Sequence, residues 1–173
     1  MELVRRLERA LEALYTLAGW VAAAFLIALA ALVLASIVSR LLGVYLPGVI
    51  EYSGYSMASS SFFALAYAFR NGSHIRVNLL LSHLHGRAHQ VAEIWCHGAA
   101  AAAGGFLAYY ACKLAWVSYQ FGERSEGADA ILLWIPQTGM AAGAVIFALC
   151  LAHSLVRVIC EPGYQSAARP EAL

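Results

Sequence analysis

Four runs of apolar residues, separated by short polar stretches, organise the chain. The first, about 15–39, holds no charged residue and stops at Arg40; Gly43 to Gly48, with Pro47, then reads as a loop. The second covers about 49–69 and is stopped by Arg70, Asn71 and Gly72. The third covers about 91–119. The fourth covers about 134–156, with Pro136 in its first turn, where a missing N–H breaks no hydrogen bond. Read as helices rising about 1.5 Å per residue, all four are long enough for a hydrocarbon core about 30 Å thick. The pattern predicts an all-α integral membrane protein, residues 1–173 forming one domain with four transmembrane helices.

Two amphipathic stretches flank these runs. Leu3, Leu7, Leu11 and Leu14 recur along one face, while Arg5, Arg6, Glu8, Arg9 and Glu12 fill the others. This predicts an amphipathic helix over 1–13, lying in the headgroup region before the chain turns inward. The alternative is a simple extension of the first spanning helix into water. A basic start before an apolar run has the outline of a signal peptide. The run from Leu14 to Ser39 is well beyond the roughly 7–15 residues of a signal core, however, so an uncleaved first helix is expected. Between the second and third runs, Ile75, Val77, Leu79, Leu80, Leu81 and Leu84 sit among His74, Arg76, Asn78, His83 and His85, which predicts a short interfacial helix.

Composition strengthens the membrane reading. Hydrophobic residues make up 62% and charged residues 12%, with a mean hydropathy of +0.69. Soluble domains carry about 45–50% and about 25%. The excess implies surface facing lipid. A net charge of +1 and the lack of any Lys/Arg stripe argue against nucleic acid as a partner. The distribution of charge sets an orientation. Arg5, Arg6 and Arg9, then Arg70, Arg76 and Arg87, then Arg157 and Arg169 fall on one side, against only Arg40 and Arg124 on the other. Both termini and the second loop are therefore expected in the cytoplasm. The first loop and the acidic third loop, with Glu123, Glu126 and Asp129, face outward. Trp20, Trp95, Trp116 and Trp134 fall near helix ends, as interfacial anchors do.

Few residues carry candidate chemistry. Glu51, at the outer start of the second helix, and Lys113, near the outer end of the third, sit at similar depth and are expected to pair as structural glue. Pairing of Glu51 with Arg40, snorkelling of Lys113, and a substrate or proton role are the alternatives. Ser56, Ser60, Ala64 and Ala68 recur every four residues on the second helix, and Gly98, Ala102, Gly104, Gly105 and Ala108 lie on the third. Small residues at such spacing let helices approach closely, within the chain or against another subunit. Cys96, Cys112, Cys150 and Cys160 show no metal spacing. His97 and His153 admit a haem between helices, and His85 with His89 has an i,i+4 spacing but lacks further ligands. No nucleophile elbow, phosphate loop or paired carboxylates are visible. No enzyme activity, cofactor or metal is expected.

Three motifs then carry a resemblance. They are Pro47-Gly48-Val49-Ile50-Glu51, the block from Arg70-Asn71-Gly72-Ser73-His74 through Ile75-Arg76-Val77-Asn78-Leu79-Leu80, and Trp134-Ile135-Pro136-Gln137 continuing to Gly143. With four runs and short loops, the chain resembles the small membrane subunit (DctQ type) of tripartite ATP-independent periplasmic (TRAP) transporters over nearly its whole length. The His-Ile-Arg-Val block is the most specific part. Asn78 departs from the acidic residue common there. The resemblance implies a scaffold in the bacterial inner membrane, packed against a large membrane subunit (DctM type). That larger subunit would carry out sodium-coupled uptake of an organic carboxylate anion delivered by a periplasmic binding protein (DctP type). It implies structural roles for Pro47, Gly48, Glu51, Arg70, Gly72, His74, Arg76, Asn78, Trp134 and Pro136, beside the structural role already expected of Lys113 as the partner of Glu51. Topology adds Gly122, Glu123, Arg124, Glu126 and Asp129 as possible contacts of the binding protein. The rival readings are a haem-bearing membrane anchor of a respiratory enzyme, resting on His97 and His153, and a stand-alone oligomeric transporter.

Overall fold

A computed structural model describes residues 2–44, 46–71, 87–127 and 129–160. These form four helices: α1 (Glu2–Leu41), α2 (Val49–Arg70), α3 (Arg87–Phe121) and α4 (Trp134–Cys160). Among the described residues there is no β-strand, only an isolated antiparallel bridge between Arg124 and Leu132.

Except at the N-terminus, each helix begins and ends within four residues of its apolar run. There the expected separate helix over 1–13 is replaced by one continuous 40-residue α1. The reason is local. No proline and only one glycine, Gly19, interrupt Glu2–Leu41, and Glu8 and Glu12 find partners on neighbouring helices, so the chain need not turn.

Among the described residues, three helical stretches are long and apolar enough to cross a membrane: Glu8–Leu41, His89–Phe121 and Trp134–Cys160. The second helix is not among them. Its 22 residues include Glu51 and five serines, Ser53, Ser56, Ser59, Ser60 and Ser61, which lower its hydropathy.

The helices form an open row in the order α1, α2, α4, α3. Helix α2 packs between α1 and α4, α1 only brushes α4, and α3 touches α4 alone. Helices α1 and α2 are antiparallel: Tyr15 and Ala66 share one buried cluster, Ala18, Ala22 and Phe63 another. Midway, the Ser60 hydroxyl donates to the Ala22 carbonyl at 2.9 Å. Gly19 lies flat on the Tyr67 ring.

On its other side α2 runs parallel to α4. The contact is made by Gly139 and Gly143, four residues apart. A Cβ at Gly139 would lie 2.8 Å from Ser59 Oγ; one at Gly143 would lie 2.9 Å from the backbone nitrogen of Phe63. The two backbones therefore nearly touch, as small-xxx-small pairs permit in lipid. Helix α3 repeats the device once, with Gly104 under the Leu151 side chain.

Replacing Gly143 by Leu should thus force α2 and α4 apart. Overpacking of this kind costs about 1–3 kcal/mol, read as a lowered melting temperature of the detergent-purified chain. Gly105, with nothing within 4 Å, is the control, and Gly105→Leu should leave the melting temperature in place.

Candidate functional site

Polar chemistry collects at the two ends of the row. At one end, Gly48 caps α2 with φ 73°, a left-handed conformation that side chains rarely adopt. A Cβ there would also strike the Asp129 carboxylate and the Tyr52 ring. Pro47-Gly48 thus sets the angle at which α2 starts. Glu51 follows in the first helical turn, where the helix dipole favours an anion.

The third loop folds over this helix end as a small hairpin. The Ser125 N–H donates to the Ile131 carbonyl at 2.8 Å, and the Leu133 N–H to the Glu123 carbonyl at 3.0 Å. Ser125 is the junction. Its hydroxyl donates to Glu51 Oε2 at 3.0 Å and accepts from the Tyr55 hydroxyl and the Gly127 N–H, each at 3.3 Å. That uses the one donor and both lone pairs of a serine. Gly127 lies directly on the Glu51 carboxylate, leaving no room for a side chain. Fully buried Ser118 donates to Glu123 Oε2 at 2.7 Å, tying the hairpin to the end of α3. Trp134 opens α4 edge-on to Tyr119, with ring centroids 5.6 Å apart, and Pro136 occupies the first turn as expected.

The expected Glu51–Lys113 pair is not formed. Helix α3 does not adjoin α2, and Lys113 instead sits 5.8 Å from the centroid of the Tyr110 ring, within reach of a cation–π contact. Glu51–Arg40 is not formed either, because the Glu51 carboxylate turns to the hairpin. Glu123, Arg124, Glu126 and Asp129 stay exposed around it.

At the opposite end, α1 is clamped to both neighbours. Arg70 of α2 pairs with Glu12. Arg157 of α4 donates to Glu8 at 2.7 Å. One turn further in, the Tyr15 hydroxyl lies 3.4 Å from His153 Nδ1, its side chain almost wholly buried. The Cys150 thiol reaches the Ala66 carbonyl at 3.7 Å. Glu8 and Glu12, expected on the polar faces of a headgroup-level helix, form this clamp instead. The signal was the 8, 12, 15 spacing, which places both carboxylates and Tyr15 on one helical face.

The two candidate haem histidines engage different neighbours. His153 meets Tyr15, and His97 Nδ1 lies 2.9 Å from the Glu93 carbonyl of its own helix. His89 pairs with Glu93 at 3.9 Å. Among the described residues no three His, Cys, Asp or Glu side chains gather as a metal site. Gly72, His74, Arg76, Asn78, His85 and the expected interfacial helix lie outside the described residues.

The family model of the DctQ component of tripartite ATP-independent periplasmic transporters matches residues 29–161, from the second half of α1 past the end of α4. The chain belongs to the DctQ family. No match was found among curated proteins, nor among solved structures. Membership makes this DctQ chain a small membrane subunit of a TRAP transporter and not an enzyme, which displaces the reading as a respiratory haem anchor.

If the clamp orders the DctQ helices, Glu12→Arg should place two cations together. The expected loss is about 1–3 kcal/mol, between that of exposed and buried pairs. Thermal melts should show most of it restored in the double variant Glu12→Arg/Arg70→Glu, the mark of a direct interaction.

Proposed function

We propose that this DctQ chain is a fixed scaffold supporting a large DctM-type membrane subunit. That subunit takes up an organic carboxylate anion with sodium, delivered by a DctP-type periplasmic binding protein. The chain crosses the bacterial inner membrane four times, with α2 as the fourth span and both termini in the cytoplasm, as the Arg distribution favours. The observation that carries this reading is the open row. Four helices packed edge to edge leave α3 with a single neighbour. Large apolar side chains stand exposed along it, among them Phe106 and Leu114. A larger membrane protein would cover part of that surface, and lipid the rest.

In this arrangement Pro47, Gly48 and Glu51 set the opening of α2 and hold the hairpin. Trp134 and Pro136 start α4 beneath it, and Lys113 is held on Tyr110 nearby. Gly72, His74, Arg76 and Asn78 hold the cytoplasmic loop at the membrane surface. The hairpin from Gly122 to Asp129, with Glu123, Arg124 and Glu126, stands on the outer side as part of the landing surface for the binding protein. Its attachment to Glu51 through Ser125 gives that surface a fixed position.

Two measurements test the reading. Affinity purification of the tagged chain should bring down a large multi-span partner. Proteoliposomes should take up the anion only when both membrane subunits and the binding protein are present, and uptake by this chain alone would overturn the scaffold role. Separately, Glu126→Lys should leave co-purification intact but weaken docking of the binding protein. One reversed rim charge should change association about tenfold at low salt, seen by surface plasmon resonance on the reconstituted complex.

A further inference from the structure

Arg40 stands apart from the polar networks at either end. It closes a stretch of 25 residues, Tyr15 to Ser39, without a charge. At about 1.5 Å per residue that stretch is about 37 Å long, which places the guanidinium at headgroup depth when α1 spans a bilayer. Its side chain is exposed, and among the described residues no carboxylate comes within ion-pair distance of it. The nearest candidate in sequence, Glu51, is engaged by Ser125 and covered by Gly127.

Arg40 also edges a groove of about 290 Å³ between the end of α1 and the start of α2. Val33, Ile37 and Ile50 form apolar walls; half-buried Ser36 and Ser53 add hydroxyls. The Ser53 hydroxyl donates to the Val49 carbonyl at 2.7 Å and keeps its lone pairs. The groove therefore offers a cation at the rim, hydroxyls beside it and hydrocarbon along the sides. The space equals about ten water-sized groups, enough for a phosphoglycerol and the first methylenes of a chain. A bidentate guanidinium matches a phosphate, and Ile37, Val33 and exposed Leu34 continue the apolar track along α1.

From this combination we infer that the α1–α2 groove is a site for one glycerophospholipid, held by its phosphate on Arg40 and by an acyl chain along Val33 and Ile37. A lipid there would fill the groove between the end of α1 and the start of α2, near the turn of α2 that holds Glu51. The inference rests on α1 as a membrane span and is separate from what the DctQ chain supports.

Native mass spectrometry of the full chain, released from detergent and titrated with phosphatidylglycerol, tests it. The wild type should retain one lipid at concentrations where further lipids are stripped. Arg40→Gln should weaken that one lipid about tenfold or more, the loss expected for a charge-assisted contact. Arg40→Lys should recover part of the affinity, and Arg124→Gln, on the hairpin, should change nothing. Inorganic phosphate at the same concentration should not compete, since it lacks the chain. Equal retention by wild type and Arg40→Gln would overturn the inference, as would full competition by inorganic phosphate. So would loss of the bound lipid when the large subunit is present, because a partner carboxylate would then be the natural occupant. Weak lipids that remain on every variant report the apolar belt, so failure at Arg40 is distinguishable from failure of the membrane reading.

Discussion

Helix α2 can sit in the middle of this molecule only because its backbone comes within touching distance of α4 at Gly139 and Gly143. In lipid, apolar side chains gain nothing by leaving one hydrocarbon surface for another, so helices associate through close van der Waals contact and hydrogen bonds. A side chain at Gly143 would meet the backbone of Phe63 rather than a flexible tip. On the opposite face, Ser60 bonds to the Ala22 carbonyl. Helix α2 is thus held by backbone proximity on one side and by a side-chain hydrogen bond on the other, and the remaining helices are placed relative to it.

The two polar ends finish what close packing begins. Small-residue contacts fix how near two helices lie but resist sliding along the common axis only weakly. The Arg70–Glu12 and Arg157–Glu8 pairs tie α1 to both α2 and α4 at one end, and the hairpin ties α2 to α3 and α4 at the other. Each pair is partly exposed and worth little alone. Together they define register, because moving either helix by one turn would separate both charges. Ser125 does the same with uncharged chemistry: satisfied in all three of its hydrogen-bonding capacities, it holds Glu51 without a cation. That is why Lys113, a helix away, is not needed there.

Helix extents were legible because apolar runs end abruptly at Arg40, Arg70 and the hairpin residues. Pairings were not, because depth says nothing about which helices are neighbours. Glu51 and Lys113 lie at similar depth, yet α4 intervenes. Gly139 and Gly143 have the same four-residue spacing as the small-residue stripe on α2, but nothing in the spacing alone says which stripe meets which helix. The stripe on α2 did report a real contact, at Ser60. The amphipathic pattern before Tyr15 suggests an interfacial helix because the partners of Glu8 and Glu12, Arg157 and Arg70, are far away in sequence; with them paired, α1 simply continues. The hairpin left almost no mark, since its rungs are backbone bonds and its key residues are a single serine and a glycine.

The low hydropathy of α2 then acquires a physical reading. A helix that faced lipid over most of its surface could not carry five serines and a glutamate cheaply. Helix α2 lies between two neighbours. Ser59 is buried against Gly139, Ser60 bonds to α1, Ser53 and Ser61 turn back to carbonyls one turn earlier, and Glu51 is covered by the hairpin. Apart from exposed Ser61, which is satisfied by its own helix, these groups are buried or partly buried within the protein. Enclosure between α1 and α4 is what makes the serines and Glu51 of α2 tolerable, and is compatible with the proposed fourth span. Large exposed apolar side chains are most numerous on the outer helices, α1 and α3, while α2 shows Ile50, Met57, Tyr52 and Tyr67. The row is thus polar where α2 is enclosed and apolar on α1, α3 and α4, a distribution suited to the proposed scaffold that meets lipid and a membrane partner.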